Sequence, residues 1–223
     1  MWCIPPKANA AFVADMELVL DVYQRPADPR FPVVCMDESN KQLVSEVQPP
    51  LPVQPGQVQK EDCNYVRHGT GNLFIAFDPA QGRRDVTVTE RRTRHEWADY
   101  VKFIVDEFCP TAERITLVCD QLNTHSLASL YETFAPEEAH RLARKLELVH
   151  TPKHGSWLNM AEIEFSALSR QCLDRRIADR TVLAAEVAAW AKARNDHQTT
   201  VHWRFTTADA RIKLKSLYPK YLP

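Results

Sequence analysis

No Cys-x-x-Cys pair occurs among the six cysteines, Cys3, Cys35, Cys63, Cys109, Cys119 and Cys172, so the thiols lack the spacing of a zinc or redox motif. Cys35 and Cys119 sit inside apolar runs, where a free thiol behaves as a small hydrophobe. The set reads as reduced thiols, not as a disulfide framework. No histidine pair offers a zinc site either. His150 and His154 are four apart with Pro152 between them, which argues against the helix that would align them. No apolar run reaches membrane-spanning length, and Asp15 and Glu17 stand where a signal peptide would need an apolar core. The expectation is a cytoplasmic protein without a membrane partner. Positive charge is not in excess: the formal net charge is −1, so the whole-chain balance gives no support for a polyanionic partner. No internal repeat or low-complexity segment is present.

What remains is a chain of 223 residues, 44% hydrophobic and 26% charged, too apolar for disorder and long enough for one sizeable domain with appendages. Its basic residues cluster at Arg83–Arg84, Arg91–Arg92–Arg94, Arg170, Arg175–Arg176 and Arg211–Lys213–Lys215. Each cluster reads equally well as a solvated helix face or as a phosphate contact.

Periodicity predicts a helix over Ala8–Tyr23, stopped by the proline-rich connector Arg25–Pro32. Val33–Met36 reads as a short buried strand that delivers Asp37, Glu38 and Ser39 at its end. Residues 48–60, with Pro49, Pro50, Pro52, Pro55 and Gly56, read as an irregular excursion or hairpin. Strand patterns at Leu73–Phe77 and Asp85–Thr89 flank the Pro79–Gly82 turn and suggest a hairpin. A helix over His95–Phe108 precedes a second buried strand, Arg114–Cys119, ending on Asp120. Helices over Ser126–Phe134 and Pro136–Lys145, a strand at Leu146–His150, and helices over Asn159–Leu173 and Thr181–Asn195 complete the body. The expected division is an N-terminal helix and linker (1–30), a main domain (31–198) with an irregular insertion at about 41–70, and a C-terminal tail (199–223). This is an α/β pattern, a mixed sheet of about five strands flanked by helices. Acids at the ends of two buried strands and one on a later helix is the arrangement of the ribonuclease-H-like fold.

Asp37, Asp120 and Glu162 are the residue types that phosphodiester chemistry needs. Two metal ions roughly 3.5–4 Å apart stabilise the attacking and leaving oxygens, and hard cations such as Mg²⁺ take carboxylate oxygens with water and phosphate completing the shell. Each residue also has a plainer reading. An Asp at a strand end is commonly turn chemistry. Asn159 to Glu162 has the spacing of a capping box, in which Glu162 would reach back to the Asn159 backbone.

The runs Cys35–Ser39 (CMDES), Leu117–His125 (LVCDQLNTH) and Thr151–Glu162 (TPKHGSWLNMAE) resemble the mariner superfamily of transposases, and the bacterial insertion sequence 630 branch within it. Trp203–Tyr218 also resembles that branch, so the likeness covers nearly the whole chain. It implies a DDE triad of Asp37, Asp120 and Glu162 on a ribonuclease-H-like fold in a bacterial transposase. It also implies dependence on two ions of Mg²⁺ or Mn²⁺, double-stranded DNA as substrate, and cut-and-paste integration at TA. In that scheme Asp37 bridges both metals, Asp120 holds one and Glu162 the other. Water frees a 3′-hydroxyl at the transposon end, which then attacks target DNA. The sequence departs from the family at Gln121, where Asn is usual. The helix-turn-helix region that recognises transposon ends is not found ahead of the catalytic half, so a homodimer, or a partner chain supplying that region, is expected. Two rival readings are a catalytically silent regulator acting by hetero-oligomerisation and a nuclease of the same fold.

Five further positions follow. Asn123, in the run after Asp120, and His125, five beyond it, are placed near the metals, although His125 reads equally as a packing or capping residue. Lys153 and His154, in a glycine-containing loop, are candidate DNA-backbone contacts. Trp157 is either a base-stacking or a core tryptophan. Between the two nearby glutamates the resemblance selects Glu162, not Glu164.

Overall fold

In the computed structural model, which describes residues 4–5, 7–48, 55–56 and 62–220, twelve α and β elements follow one another. They are α1 (Ala10–Tyr23), β1 (Val33–Glu46), β2 (Tyr65–Asp78), β3 (Arg83–Thr89), α2 (Arg94–Phe103), β4 (Ile115–Cys119), α3 (Leu127–Thr133), α4 (Pro136–Arg144), β5 (Leu146–His150), α5 (Met160–Leu168), α6 (Arg180–Asp196) and α7 (Thr207–Lys213). The strands form one mixed sheet in the order β3-β2-β1-β4-β5. β1, β2 and β3 are antiparallel neighbours, while β4 lies parallel to both β1 and β5. The β2–β3 turn is tight. The Asp78 carboxylate accepts from the Ala80 and Gln81 N–H groups, and Gly82 has a φ of +62° with a would-be Cβ only 2.7 Å from the Gln198 backbone, so only glycine fits there. The parallel pairs need crossovers, supplied by α2 and by the α3–α4 pair.

Strand alternation divides the core into two layers. Cys35, Leu73, Ile75, Phe77 and Val86 face a layer built from α1, α5, α6 and α7. Val34, Met36, Phe74 and Ala76 face the layer of α2, α3 and α4. α1 and α7 are not peripheral. Their apolar faces share the first layer, and Arg211 of α7 pairs with Glu17 of α1 at 2.9 Å.

The helices expected over 95–108 and 159–173 are α-helical only to Phe103 and Leu168, and each closes in a π-helical turn, Ile104–Phe108 and Ser169–Leu173. A larger correction concerns β1. It does not stop at Met36 but continues to Glu46, and β2 starts at Tyr65, so the expected insertion of 41–70 is narrower at both ends. The extension is polar, hence invisible to hydrophobic patterning. It is held by ladder pairs such as Asn40 with Asn72 and Lys41 with Gly71, and by the Lys41 ammonium donating to Leu173 O at 2.6 Å. Most of the proline-rich stretch, residues 49–54 and 57–61, lies outside the described residues. Among the described residues no helix is long and apolar enough to cross a membrane.

Candidate active site

Register sets the first two acids side by side. Val33, Val34 and Cys35 of β1 pair in parallel with Thr116, Leu117 and Val118 of β4. Two further steps along each chain bring Asp37 level with Asp120, on backbones about 4.8 Å apart. Asp37 is therefore not at a strand end, as expected, but inside a long strand, which removes the turn reading for it. Asp120 does stand just past the end of β4, where its carboxylate also accepts from the Leu122 N–H at 3.3 Å. By alternation Asp37 shares the side of Cys35, toward α5, whereas Glu38 shares the side of Met36, toward α2.

The third acid comes from α5. The capping box that the spacing allows does not form. Asn159 caps the helix by accepting from the Ala161 N–H at 3.1 Å, but its own N–H is spent on Ser156 O, so Glu162 has no backbone donor to reach back to. The Asn159 amide instead donates to Met36 O at 2.8 Å, pinning the start of α5 to β1 one residue before Asp37. Glu162 is exposed. Glu164 points the other way and is fully buried, 2.9 Å from Arg84 and 2.8 Å from Arg194.

The acids act on one another electrostatically. Burial, reinforced by the charges of Glu162 and Asp120, raises the Asp37 carboxyl to about 7 against the pull of the Glu38 N–H. Asp120 behaves oppositely. Burial would raise it, but His125 outweighs that and holds it below the usual carboxylate range. The His125 ring is sealed from solvent, with Nδ1 2.6 Å from Asp120 Oδ1 and Nε2 3.0 Å from Glu38 Oε1. It stacks on Trp97 with centroids 5.6 Å apart. Burial works against its charge, yet its contacts with Asp120, Cys119 and Glu38 push the ring up to about 12. The ring bridges two carboxylates. Glu38 in turn meets Arg92 at 3.3 Å, which absorbs one member of the basic clusters. Sequence reasoning missed Glu38; the signal was there, since an acid next to Asp37 on a strand must project to the opposite face.

The lesser positions separate. Lys153, His154 and Asn123 are exposed, and His154 adopts a left-handed φ of 66°. Trp157 is partly buried against Phe205, so part of its ring packs on the C-terminal segment. The Gln121 amide donates to Asp15 of α1 at 2.7 Å, so its extra reach is spent on α1. Among the described residues no group of three or more His, Cys, Asp or Glu side chains is gathered closely enough to hold a metal ion. Asp37, Asp120 and Glu162 are nevertheless an all-oxygen donor set of the kind hard cations take. A cation beside Asp37 would offset the cost of burying its charge and the repulsion from Glu162 and Asp120. The residues fit a divalent metal.

Residues 32–184, more than half of the sequence, match the family described as DDE superfamily endonuclease. The chain belongs to that family. No curated protein sequence matches it. Among solved structures, the DDE endonuclease chain is similar to the catalytic domain of Mos1 mariner transposase (TM-score 0.55, 12% identity, 96% of each chain covered). It is also similar to the Mos1 strand transfer complex (TM-score 0.61, 14% identity, 96% of this chain and 63% of that one) and to the Mos1 paired end complex with Mn (TM-score 0.59, 14% identity, 96% and 64%). At these identities the likeness establishes the fold, the expected ribonuclease-H-like sheet. The chain spans less than two thirds of the longer Mos1 chains it matches.

Proposed function

We propose that this DDE endonuclease chain is the catalytic domain of a cut-and-paste DNA transposase of the mariner superfamily, in the insertion sequence 630 branch. It would cleave transposon ends and join the 3′-hydroxyl to target DNA at TA. The observation that carries this reading is the placement of buried Asp37 inside β1, beside Asp120 just past the end of the neighbouring parallel strand β4, its carboxyl raised by burial and further by the charges of Glu162 and Asp120. Asp37, Asp120 and Glu162 would hold two Mg²⁺ or Mn²⁺ ions, which when bound would neutralise phosphate charge and activate the oxygen nucleophile. Asp37 is aimed by the β1 ladder, and Asp120 by its bond to His125. Lys153 and His154, exposed on the loop before α5, would contact the DNA backbone, with Asn123 on the rim. Double-stranded DNA is the substrate, and the chain would act as a homodimer or with a partner chain whose helix-turn-helix region supplies end recognition. The paired-end and strand-transfer assemblies of Mos1 lend this support by analogy.

The test is incubation with supercoiled plasmid and a 3′-hydroxyl transposon-end duplex in Mn²⁺. Cutting with joining of the duplex supports the proposal. Cutting without joining supports the nuclease, and neither activity supports a regulator that acts by hetero-oligomerisation.

A further inference from the structure

An exposed glutamate is only as well aimed as the helix that carries it. Apolar contacts of Met160, Ala161, Phe165 and Leu168 seat α5 on the sheet, but hydrophobic burial is non-directional and sets the helix's rotation loosely. A rotation of about 20° would move a side-chain tip, roughly 5–6 Å from the axis, by about 2 Å, whereas metal–ligand distances tolerate only about 0.2 Å. Something directional has to fix α5, and two contacts bracket Glu162. On one side is the Asn159 bond to Met36 O. On the other is Glu164, with Oε2 2.9 Å from Arg84 Nε and both oxygens accepting from Arg194, at 2.8 and 3.1 Å.

We propose that Glu164, Arg84 and Arg194 are positioning residues that lock the rotation of α5 and so aim Glu162 at Asp37. This rests on the reading of Asp37, Asp120 and Glu162 as metal ligands. The anchor is itself immobile. The Arg84 and Glu164 side chains are fully buried, and Asn195 clasps the Arg84 backbone on both sides, accepting from its N–H and donating to its carbonyl at 2.8 Å each. The Arg84 guanidinium also donates to Thr199 O at 2.5 Å. β3 and α6 thus form a fixed frame that grips α5 two residues beyond Glu162. A buried ion pair is a poor source of stability, since apolar residues of similar volume often do as well or better. Here Arg84 meets Glu164 as an ion pair without a hydrogen bond from its Nε, and the directional hold comes from the two Arg194 hydrogen bonds.

The experiment is Mn²⁺ binding by titration calorimetry on the full chain, with melting temperature measured alongside. In R84M/E164L the buried pair is replaced by apolar groups. The expected result is a melting temperature near that of the parent and Mn²⁺ affinity about 10-fold weaker, in the range found when groups supporting metal ligands are lost. Parent-like affinity in the folded double variant overturns the proposal. Arg194→Met removes a partner that reaches solvent and decides the matter if the double variant does not fold. A smaller loss in the same direction supports the lock, and no loss overturns it. Asp37→Asn separates the two layers of the argument. If it leaves Mn²⁺ binding intact, the ligand assignment falls and the lock with it. If it abolishes binding while the Arg84, Glu164 and Arg194 variants bind normally, the lock alone falls.

Discussion

Asp37→Asn should make the metal-free protein more stable, and the size of the gain follows from the site. The Asp37 carboxyl sits near 7 in the fold against an ordinary value of 3.8. A carboxylate raised on folding holds its proton more tightly in the native state, so ionising it penalises the fold. The penalty is absent below the unfolded value, grows as pH rises from about 4 to about 7, and is constant above that. The linkage gives about 4 kcal/mol at pH 8 and about 2 kcal/mol at pH 5. Asparagine keeps the shape, and its oxygen still accepts from the Glu38 N–H, without the charge. For a chain of this length 1 kcal/mol corresponds to roughly 2–4 °C, so in EDTA at pH 8 the variant should melt about 10 °C above the parent, with about half that gap at pH 5. Added Mn²⁺ should reverse the order, because a ligand that binds only the native state stabilises by mass action, and only the parent retains all three ligands. Thermal melts at the two pH values, with and without Mn²⁺, read all of this. A variant that melts at or below the parent in EDTA at pH 8, or a gap that does not change with pH, would refute the reasoning.

Other perturbations separate ligands from supports. Chelation, Asp120→Asn and Glu162→Gln should each abolish plasmid cutting. In EDTA, Glu162→Gln should melt close to the parent, whereas Asp120→Asn, which loses the carboxylate held low by buried His125, should melt below it. Glu164→Gln leaves two arginines without their buried anion and should instead destabilise by about 3–5 kcal/mol, and the opposite pattern between the two glutamates would show that the wrong one had been chosen. Glu38→Gln removes the charge between His125 and Arg92, and Mn²⁺ affinity measured by calorimetry should fall about 10-fold; an unchanged affinity would count against the His125 bridge. DNA binding by this chain should be weak, sequence-blind and steeply reduced by salt, so tight sequence-selective binding at physiological salt in a fluorescence titration would contradict the assignment of end recognition to another region.

Much of the fold was legible because burial leaves a pattern. The Leu146–His150 strand and the Pro136 helix start fall where apolar spacing puts them, as do the buried strands that carry Asp37 and approach Asp120. The misses share a cause. The extension of β1 past Met36 is polar, and its stability comes from backbone pairing with β2, which one-dimensional patterning does not register. The capping-box spacing at Asn159 and Glu162 was present, but another backbone pairing, Asn159 N–H with Ser156 O, already engages the donor that the box needs. The Asn159 amide found Met36 O, 123 residues away in sequence, and Glu162 was left exposed. A local motif states what a segment can do alone, and the fold decides which of its groups are already engaged.

The same reasoning explains why the two glutamates of α5 could not be told apart from periodicity. They lie about 200° apart on the helix, both on flanks of the apolar stripe, and each is charged. What distinguishes them is the opposing surface. Glu164 meets Arg84, which reads in sequence as half of a basic pair suited to solvent, and Arg194, which reads as an ordinary helix-end cation. In the fold both arginines turn inward and fix Glu164 as an internal anion. Glu162 is exposed, and it and Asp120 are the negative charges that raise Asp37, with the His125 ring as the positive charge set against them. One glutamate is matched with cations by the chain itself. The other adds to a cluster of like charge, and that imbalance is what a divalent cation would correct.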